Sequence, residues 1–283
     1  MPELPEVEVV GRGVTAALQG RRLTGLVRRC ERLRWPVPAN LWEQMLAGRS
    51  RGPVLEAVQR RGKYLLLGFA SGTLLVHLGM SGSLRVVGPA EPPGRHDHLD
   101  LLFGPRVLRF NDPRRFGAIV WAAGQDIAQT MATHPLLARL GVEPLSAAFD
   151  AGLLFAASRD RVVPVKQFLL SGQVVIGVGN IYASESLFRA GIDPRLPAGQ
   201  LRRADCARLE TAIRQTLTDA IAAGGSSLKD FVDSQGKGGY FQLQHQVYGR
   251  ADQPCYTCGE LIRQIRQQGR STFFCPACQP LIG

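Results

Sequence analysis

The chain lacks any long hydrophobic run. No window approaches the roughly 18 consecutive apolar residues of a membrane span. The N-terminus carries carboxylates at Glu3 and Glu6, where a secretory signal would have a basic region followed by an apolar one. Repeats and low-complexity tracts are also missing. We therefore expect a protein with no membrane partner, located in the cytoplasm or, in a nucleated cell, in the nucleus.

Cysteine is scarce, and its distribution excludes a secreted disulfide scaffold. Four of the six cysteines crowd the C-terminus, whereas Cys30 and Cys206 stand alone and are expected to be buried hydrophobic side chains. The 283 residues are 45% hydrophobic and 20% charged. This length and composition predict a globular protein of about two domains.

Acidic residues are in deficit. The chain has 34 Lys plus Arg against 23 Asp plus Glu, which gives a net charge of +11. This balance favours a polyanionic partner. A basic protein of membrane surfaces would more often carry an amphipathic Lys/Arg helix, and the sequence contains none. Nucleic acid is therefore the expected partner.

The N-terminal segment carries the first candidate chemistry. The initiator methionine is usually removed before proline, so we expect the chain to begin with the secondary amine of Pro2. A model α-amino group has a pKa of about 7.7–8.0 against about 10.4 for lysine, so more of it is free base at neutral pH. An amine beside Glu3 and Glu6 predicts a nucleophile with a general acid. The alternative is helix-start chemistry for Pro5, Glu6 and Glu8.

Apolar spacing predicts an N-terminal helix followed by short strands. The helix is expected from Pro5 to Leu18, with one face on a core. From Thr24 to Trp121, turn residues separate short apolar segments, a pattern typical of an antiparallel sandwich or barrel. The predicted strands are Val54 to Gln59, Tyr64 to Phe69, Thr73 to Leu78, Leu84 to Val87, Leu99 to Phe103, Val107 to Phe110 and Gly117 to Trp121.

The second half of the chain is predicted to be mostly helical. Residues from about Gln125 to Ala151 lose periodicity and are interpreted as a linker with a short helix. The following helices are expected at Leu153 to Ala157, Pro164 to Leu170 and Ile181 to Ala190, with a long one around Leu209 to Ile221. Glycines after the last two provide stop signals.

Two Cys-x-x-Cys pairs near the C-terminus predict a zinc site. Cys255 and Cys258 precede Cys275 and Cys278 with a four-cysteine zinc spacing, and the intervening arms predict a β-hairpin. Four protein ligands leave no open position, so we expect one structural Zn²⁺. Disulfides or an iron–sulfur cluster are the alternatives. The hairpin arginines form either a solvated face or a DNA contact; they are Arg263, Arg266 and Arg270.

Gly177-Val178-Gly179-Asn180 precedes a predicted helix. Asn180 is a good N-cap, and the glycines would let a phosphate approach the helix end. The segment lacks the third glycine of a dinucleotide fingerprint and the lysine of a P-loop, which argues against a nucleotide cofactor. With Lys166 and Arg189 nearby in sequence, it is interpreted as a clamp for backbone phosphates.

Two turns that are expected to be exposed carry apolar residues. One contains His77 and Met80, and the other contains Arg114 and Phe116. Phe and Met on turns can act as wedges between bases, with an arginine that fills the hole left by a flipped nucleotide. Core packing is the alternative for both. The pair His96 and His98 is interpreted as strand-edge polarity, because no third metal ligand lies nearby.

Taken together, these motifs strongly resemble those of the formamidopyrimidine-DNA glycosylases, bacterial repair enzymes that excise oxidised purines. The resemblance covers almost the whole chain. Its carriers are Pro2-Glu3-Leu4-Pro5-Glu6, Gly62-Lys63-Tyr64, His77-Leu78-Gly79-Met80-Ser81-Gly82, Asp112-Pro113-Arg114-Arg115-Phe116-Gly117, Gly177-Val178-Gly179-Asn180-Ile181-Tyr182-Ala183 and the cysteine module.

The resemblance implies an α+β fold. An N-terminal antiparallel β-sandwich with flanking helices, residues 1–130, would carry the nucleophile. A hinge, 131–151, would lead to a helix-two-turn-helix domain, 152–240, and a β-hairpin zinc finger, 241–283. A base-capping loop is expected within 226–240, with Lys229 as a contact. The implied partner is double-stranded DNA containing a damaged base, bound by a monomer.

The resemblance also implies residue roles. Pro2 would attack the sugar C1′, with Glu3 as the acid/base and Glu6 as support for the pocket. Base release would pass through an iminium on Pro2, and β- and δ-elimination would then cut the strand on both sides. Phosphates around the flipped nucleotide would be gripped by Lys63, which completes the catalytic set, and by His77, Lys166, Asn180 and Arg270. The void would be filled by Met80, Arg114 and Phe116.

Two positions depart from the family pattern, away from the implied chemistry. Ser171 stands where many relatives have aspartate, and His245 where an apolar residue is common. The nearest alternative is the sister endonuclease VIII branch, which acts on oxidised pyrimidines. Leu4, where that branch typically has glycine, favours the purine enzyme, as do Arg114 and Phe116. A non-enzymatic DNA-binding zinc protein would explain the charge and the cysteines but would not need a nucleophilic terminus.

Overall fold

The computed structural model describes residues 2–226, 234–236 and 238–281. The chain forms two compact units, Met1–Ala138 with Ala223–Tyr240, and Arg139–Ala222 with Phe241–Gly283. This division differs from the expected domains, because residues 223–240 belong with the first unit and the cysteine module belongs with the helices. No helix within the described ranges is both long and apolar enough to cross a membrane.

The first unit begins with helix α1, Leu4–Leu18, which confirms the predicted N-terminal helix. Its buried face carries Val7, Val10, Val14 and Leu18, each at most 1% exposed. A capping box between Glu3 and Glu6 begins the helix, with proline in the first turn. The local sequence therefore determines where the chain enters the helix.

Two four-stranded antiparallel sheets share one core in this unit, as the sandwich prediction requires. The strand order is β1-β6-β7-β5 in one sheet and β2-β3-β4-β8 in the other. Their bounds are β1 Gly25–Arg28, β2 Leu55–Arg61, β3 Tyr64–Phe69, β4 Gly72–His77, β5 Ser83–Val87, β6 Asp97–Leu102, β7 Val107–Asn111 and β8 Ala118–Ala123. The seven predicted strands are confirmed, with ends shifted by at most two residues.

Sequence analysis missed two short elements of the first unit, strand β1 and helix α2, Leu41–Leu46. Helix α3, Ile127–Thr133, lies where a short helix was expected in the linker. Strand β1 has four residues and no buried position, so it shows no alternation that could be read from sequence. Its pairing with β6 defines it instead.

In the described residues of the second unit, four α-helices precede a β-hairpin. The helices are α4 Ala151–Ser158, α5 Val165–Leu170, α6 Asn180–Ala190 and α7 Arg203–Ala222. Strands β9, Arg263–Gln267, and β10, Arg270–Phe274, form the expected antiparallel hairpin. Helix α6 ends at Gly191, whose φ of 66° is the left-handed stop predicted from sequence.

A buried carboxylate ties α6 to the segment before the cysteine module. Glu185 is 1% exposed, and its two oxygens accept the backbone N–H groups of Gln246, Val247 and Tyr248 at 2.8–3.0 Å. Three such hydrogen bonds offset the burial of the charge. The module is thereby joined to α6 within one unit.

Candidate active site

The N-terminal segment is held by the carboxylate of Glu6. Its Oε2 accepts the N–H of Glu3 at 2.7 Å, and its Oε1 accepts the N–H of Ser226 at 2.8 Å. Glu3 and Glu6 are each 1% exposed, and Pro2 is buried beside them. Because both oxygens of Glu6 accept backbone donors, Glu6 anchors the segment. Glu3 follows Pro2 directly in the chain, and its side chain accepts the backbone N–H of Glu6 in the capping box. Met1 and residues 227–233, which include Lys229, lie outside the described residues.

Lys63 and His77 lie close together at one end of the second sheet. Lys63 occupies the tight turn between β2 and β3, and Tyr64 pairs with His77 across β3 and β4, with ring centroids 4.7 Å apart. Burial, together with the charges of Lys63 and Arg34, lowers the pKa of His77 to about 4. The Nδ1 atom of His77 accepts the N–H of Gly79 at 2.9 Å. The neutral ring therefore carries its proton on Nε2 and can donate there.

The buried carboxylate of Asp112 holds the two turns together. Its Oδ2 accepts the N–H of Gly117 at 2.7 Å, and its Oδ1 accepts the hydroxyl of Ser81 at 2.9 Å. Gly79, at φ 65°, lies so close that a Cβ there would be 2.4 Å from the nitrogen of Gly117. Only glycine permits this approach without displacing backbone. The turns that carry Met80 and Phe116 thus form one clamped feature, which sequence analysis did not identify.

The clamped turns present a cation and two apolar side chains to solvent. Met80 is 39% exposed and Phe116 is 46% exposed. The exposed Arg114 has its guanidinium carbon 5.0 Å from the ring centroid of Phe116, a cation–π contact. Exposure excludes core packing for Met80 and Phe116 and leaves the wedge hypothesis open for test.

The interpretation of His98 as strand-edge polarity is wrong. His98 is 3% exposed, and its Nε2 lies 2.9 Å from the backbone oxygen of Asp112. The His98 side chain therefore helps to fix the backbone of Asp112, the residue that holds the two turns together. Strand β6 is buried over five of its six positions, so alternation in the sequence did not indicate which side faces water.

In the second unit, Lys166 and Asn180 both contact strand β10. Lys166 is fully buried, and its Nζ donates to the backbone oxygen of Ser271 at 3.0 Å and to the hydroxyl of Thr272 at 2.8 Å. The side-chain amide of Asn180 donates to the same oxygen of Ser271 at 2.9 Å. Arg270, next in the chain, is exposed. Three predicted phosphate contacts therefore gather around one end of the hairpin, although the ammonium of Lys166 is directed at protein.

Two details of the expected phosphate clamp are corrected. The N-cap of α6 is Gly179, with extended backbone, and Asn180 is the first helical residue. Asn180 is therefore positioned by the hairpin and not by the cap of its helix. Arg189 pairs with Asp219 at 2.7 Å, so its charge is directed at a neighbouring carboxylate on α7.

The four C-terminal cysteines form a compact sulfur cluster. All four Sγ atoms lie within 4.8 Å of one another, with 3.9 Å between Cys255 and Cys278 and 3.5 Å between Cys258 and Cys275. Sulfurs about 2.3 Å from a tetrahedral zinc lie about 3.8 Å apart, so the cluster fits that ion. Gly259, at φ 79°, makes the turn of the first knuckle. The single cysteines, Cys30 and Cys206, are buried as predicted.

Three family models match the chain. The formamidopyrimidine-DNA glycosylase N-terminal domain matches residues 1–119, and the H2TH domain of the same enzymes matches residues 140–232. The zinc finger found in FPG and IleRS matches residues 252–281. With the sulfur geometry, this last match makes the module a structural zinc site.

Full-length relatives give the same result. The chain is 54% identical to a formamidopyrimidine-DNA glycosylase of Bordetella petrii, over 99% of both chains, and 55% identical to one of Burkholderia cenocepacia, over 99% of this chain and all of the other. A Lactococcus lactis FPG variant bound to Fapy-dG DNA superposes with a TM-score of 0.88 at 32% identity, over 99% and 100% of the two chains. MutM (FPG) from Thermus thermophilus gives 0.81 at 38% identity, over 98% of each. The chain belongs to the formamidopyrimidine-DNA glycosylase family.

Proposed function

We propose that this DNA glycosylase of the repair pathway is bifunctional, removing oxidised purines and then cutting the abasic strand. The proposal depends mainly on one observation: Glu6 uses both carboxylate oxygens to hold the segment that contains Pro2 and Glu3. A rigidly held amine beside a buried carboxyl is suited to attack on an electrophilic carbon. Membership of the formamidopyrimidine-DNA glycosylase family supports DNA as the substrate.

Pro2 is the nucleophile in this proposal. With Met1 removed, its nitrogen attacks C1′ of the damaged nucleotide and passes its proton to the carboxylate of Glu3. The base leaves C1′ with the electron pair of the broken bond and takes up a proton. Glu3 donates a proton as the sugar ring opens, which leaves an iminium between Pro2 and C1′. A buried carboxyl suits this exchange because no bulk water competes for the proton.

Strand cleavage follows from the iminium. The positively charged iminium acidifies the C2′ hydrogen, so loss of that proton breaks the 3′ C–O bond by β-elimination, and the 5′ C–O bond is lost next by δ-elimination. Hydrolysis then releases Pro2. Lysine could form the same iminium, but the pKa of a model α-amino group is about 7.7–8.0 against about 10.4 for lysine, so more of a terminal amine is free base at neutral pH. The secondary amine of proline is somewhat more basic, which narrows this advantage.

The DNA backbone is proposed to be gripped from both units. Lys63 and the Nε2–H of His77 donate from the first unit, and Asn180 and Arg270 donate from the second. The expectation that Lys166 also grips a phosphate remains a prediction, and its buried contacts support an indirect role through the hairpin. Met80, Arg114 and Phe116 are proposed to fill the space vacated by the flipped nucleotide.

Oxidised purines are the proposed lesions. A MutM structure contains carbocyclic 8-oxo-G DNA, and a Lactococcus lactis FPG structure contains Fapy-dG DNA. Another Lactococcus lactis FPG structure contains DNA with an oxidised pyrimidine, so that lesion class belongs in the test as a competitor. We further propose that the enzyme acts as a monomer on double-stranded DNA in the cytoplasm. Sedimentation with and without a lesion duplex can test whether the protein is a monomer.

Borohydride trapping tests the proposal. Protein incubated with a duplex containing 8-oxoguanine opposite cytosine is treated with borohydride, which reduces the iminium to a stable adduct. We expect an adduct whose peptide maps to Pro2, and intact mass should show that Met1 is missing. Undamaged duplex should give none, and an oxidised-pyrimidine duplex should give less.

The variants separate chemistry from binding. Pro2→Ala replaces the secondary amine with a primary one and should react more slowly, whereas an added N-terminal residue should abolish trapping and preserve binding. An adduct at a lysine would refute Pro2 as nucleophile. No adduct, with lesion binding intact, would instead favour the non-enzymatic DNA-binding alternative.

A further inference from the structure

A cavity of about 410 Å³ lies within the second unit, between α5 and the turn of the β9–β10 hairpin. Arg161 and Arg270 stand among its lining residues, with Gln167, Phe168 and Ser171. None of the described residues that line it is acidic. The cavity therefore combines two formal positive charges with a partly apolar wall, which is the composition of an anion site and not of a general hydrophobic pocket.

The two arginines of this cavity have no carboxylate partner among the described residues, a property that they share with some other arginines of the unit. Five arginines of the unit form ion pairs with carboxylates: Arg189, Arg195, Arg202, Arg208 and Arg214. Arg161 and Arg270 form none within the described part of the chain, and both are exposed. Guanidinium groups bind phosphate oxygens with two parallel hydrogen bonds. An oxyanion in the cavity would give both guanidinium groups a negatively charged partner.

Gln167 provides a second, independent observation. This lining residue is 8% exposed, and its Nε2 is buried without a hydrogen-bond partner among the described residues. An unmade hydrogen bond at a buried amide costs about 1–3 kcal/mol. Rotation of the amide by half a turn exchanges its nitrogen and oxygen, so Gln167 can offer an N–H to an oxygen that enters the cavity.

The walls of the cavity are tied to each other. Lys166, adjacent to Gln167 on α5, donates to Ser271 and Thr272, which follow Arg270 on β10. The distance between the helix and the hairpin turn is thereby restrained. A preformed site loses less conformational entropy on binding than one that must be assembled.

We infer that this cavity is a phosphate pocket, in which Arg161 and Gln167 join Arg270 in binding phosphate. The phosphate group in the pocket would be the neighbour, along the DNA backbone, of the one already proposed for Arg270. The inference rests on the proposed DNA-binding role and adds Arg161 and Gln167 to it. The shared chemistry is a phosphate group, and its source is either the DNA strand or free phosphate.

The test is the salt dependence of binding to an 8-oxoguanine duplex, followed by fluorescence anisotropy. Arg161→Gln should reduce the log–log slope by about 0.9 and weaken binding about eight-fold near 0.1 M salt. Ser171→Asp places a carboxylate at the cavity and should do the same. Ser171→Asn is its neutral control. Arg202→Gln removes the same charge elsewhere in the unit and should leave the slope unchanged.

A second arm identifies the source of the phosphate. Potassium phosphate is titrated into wild type and Ser171→Asp by calorimetry at constant ionic strength. Binding lost in Ser171→Asp, with unchanged DNA slopes, would assign the pocket to free phosphate. The pocket inference is overturned if the salt slope of Arg161→Gln matches that of Arg202→Gln and neither wild type nor Ser171→Asp binds phosphate.

Failure of the proposed function would look different. Borohydride adducts at saturating duplex report the chemistry and should be equal in wild type and Arg202→Gln, whose substituted arginine lies outside the pocket. Loss of adducts in wild type would reject the reaction while the slopes still report on the pocket.

Discussion

Asp112 accepts the N–H of Gly117 at 2.7 Å, and this hydrogen bond closes the turn that carries Arg114 and Phe116. The other oxygen of the same carboxylate accepts the Ser81 hydroxyl from the neighbouring turn. One fully buried side chain therefore fixes two exposed turns relative to each other. The wedge proposed for these turns would need a fixed shape between bases, and the Asp112 carboxylate provides that restraint.

Replacing this carboxylate tests the clamp. Asp112→Asn leaves one oxygen to accept and turns an NH₂ toward a donor, so the free energy of unfolding should fall by about 1–3 kcal/mol in urea. Affinity for an abasic-site duplex should fall more than affinity for undamaged duplex. Ser81→Ala removes a hydroxyl that donates to Asp112 and accepts the N–H of Arg114. Because that N–H keeps Asp112 as an acceptor, the substitution should cost about 1 kcal/mol. Equal stability of Asp112→Asn and wild type would show that the clamp is not needed.

Glu6 and Glu8 offer a matched pair on α1. Glu6→Gln replaces an acceptor of two buried backbone N–H groups and should lower the free energy of unfolding by about 1–3 kcal/mol. It should also reduce adduct formation, because Pro2 loses its support. Glu8 pairs with Arg12 and Arg60 at 2.9 Å in a partly exposed setting. Glu8→Gln should therefore cost less than about 1 kcal/mol. Similar losses for the two variants would contradict the anchoring role.

The pKa of His77 predicts a pH dependence of stability. Its folded value of about 4 lies below the ordinary value of 6.5, so the unfolded chain binds the extra proton between these limits. The stabilisation is complete above pH 6.5 and is lost as pH falls toward 4. Urea unfolding at pH 6.5 and pH 5 should differ by roughly 1–2 kcal/mol more in wild type than in His77→Gln. Parallel curves for the two proteins would show that His77 is protonated normally.

Lys166 distinguishes a phosphate contact from a structural one. Lys166→Met removes two hydrogen bonds to β10 and should destabilise the protein by about 1–3 kcal/mol in thermal unfolding. The salt slope of DNA binding should change little, whereas Arg270→Met should lower it by about 0.9. A fall of the same size in Lys166→Met would restore the direct phosphate contact expected from sequence.

The zinc site can be tested by removal of the metal. Elemental analysis should give one zinc per chain, and a chelator should loosen the hairpin, because the cysteine cluster and the hairpin belong to one small core. Hydrogen exchange at Ser271 and Thr272 should then accelerate, while amides of α1 remain protected. A metal content well below one in folded protein, or unchanged exchange after chelation, would rule out the structural role.

Much of the molecule was determined by residues close together in sequence. The start of α1 depends on Glu3, Pro5 and Glu6, and the hairpin of the zinc module depends on two short cysteine pairs. The seven predicted strands follow from turn residues between short apolar segments. Such signals act within a few residues, so one sequence is enough to identify them. They also carried the family resemblance, which the comparisons confirmed.

The tertiary structure decided what these side chains contact. Lys166 meets Ser271 at a separation of 105 residues, and the carboxylate of Glu6 meets Ser226 at 220. Ser81, before β5, meets Asp112, after β7, because these two strands are paired. His98 is buried where alternation in the sequence suggested the edge of a strand. Whether a charge faces a phosphate, a backbone oxygen or an open cavity depends on which distant segment packs beside it. Because that packing is set by the whole core, spacing along the chain identified the chemical groups of this protein, and only the fold determined their partners.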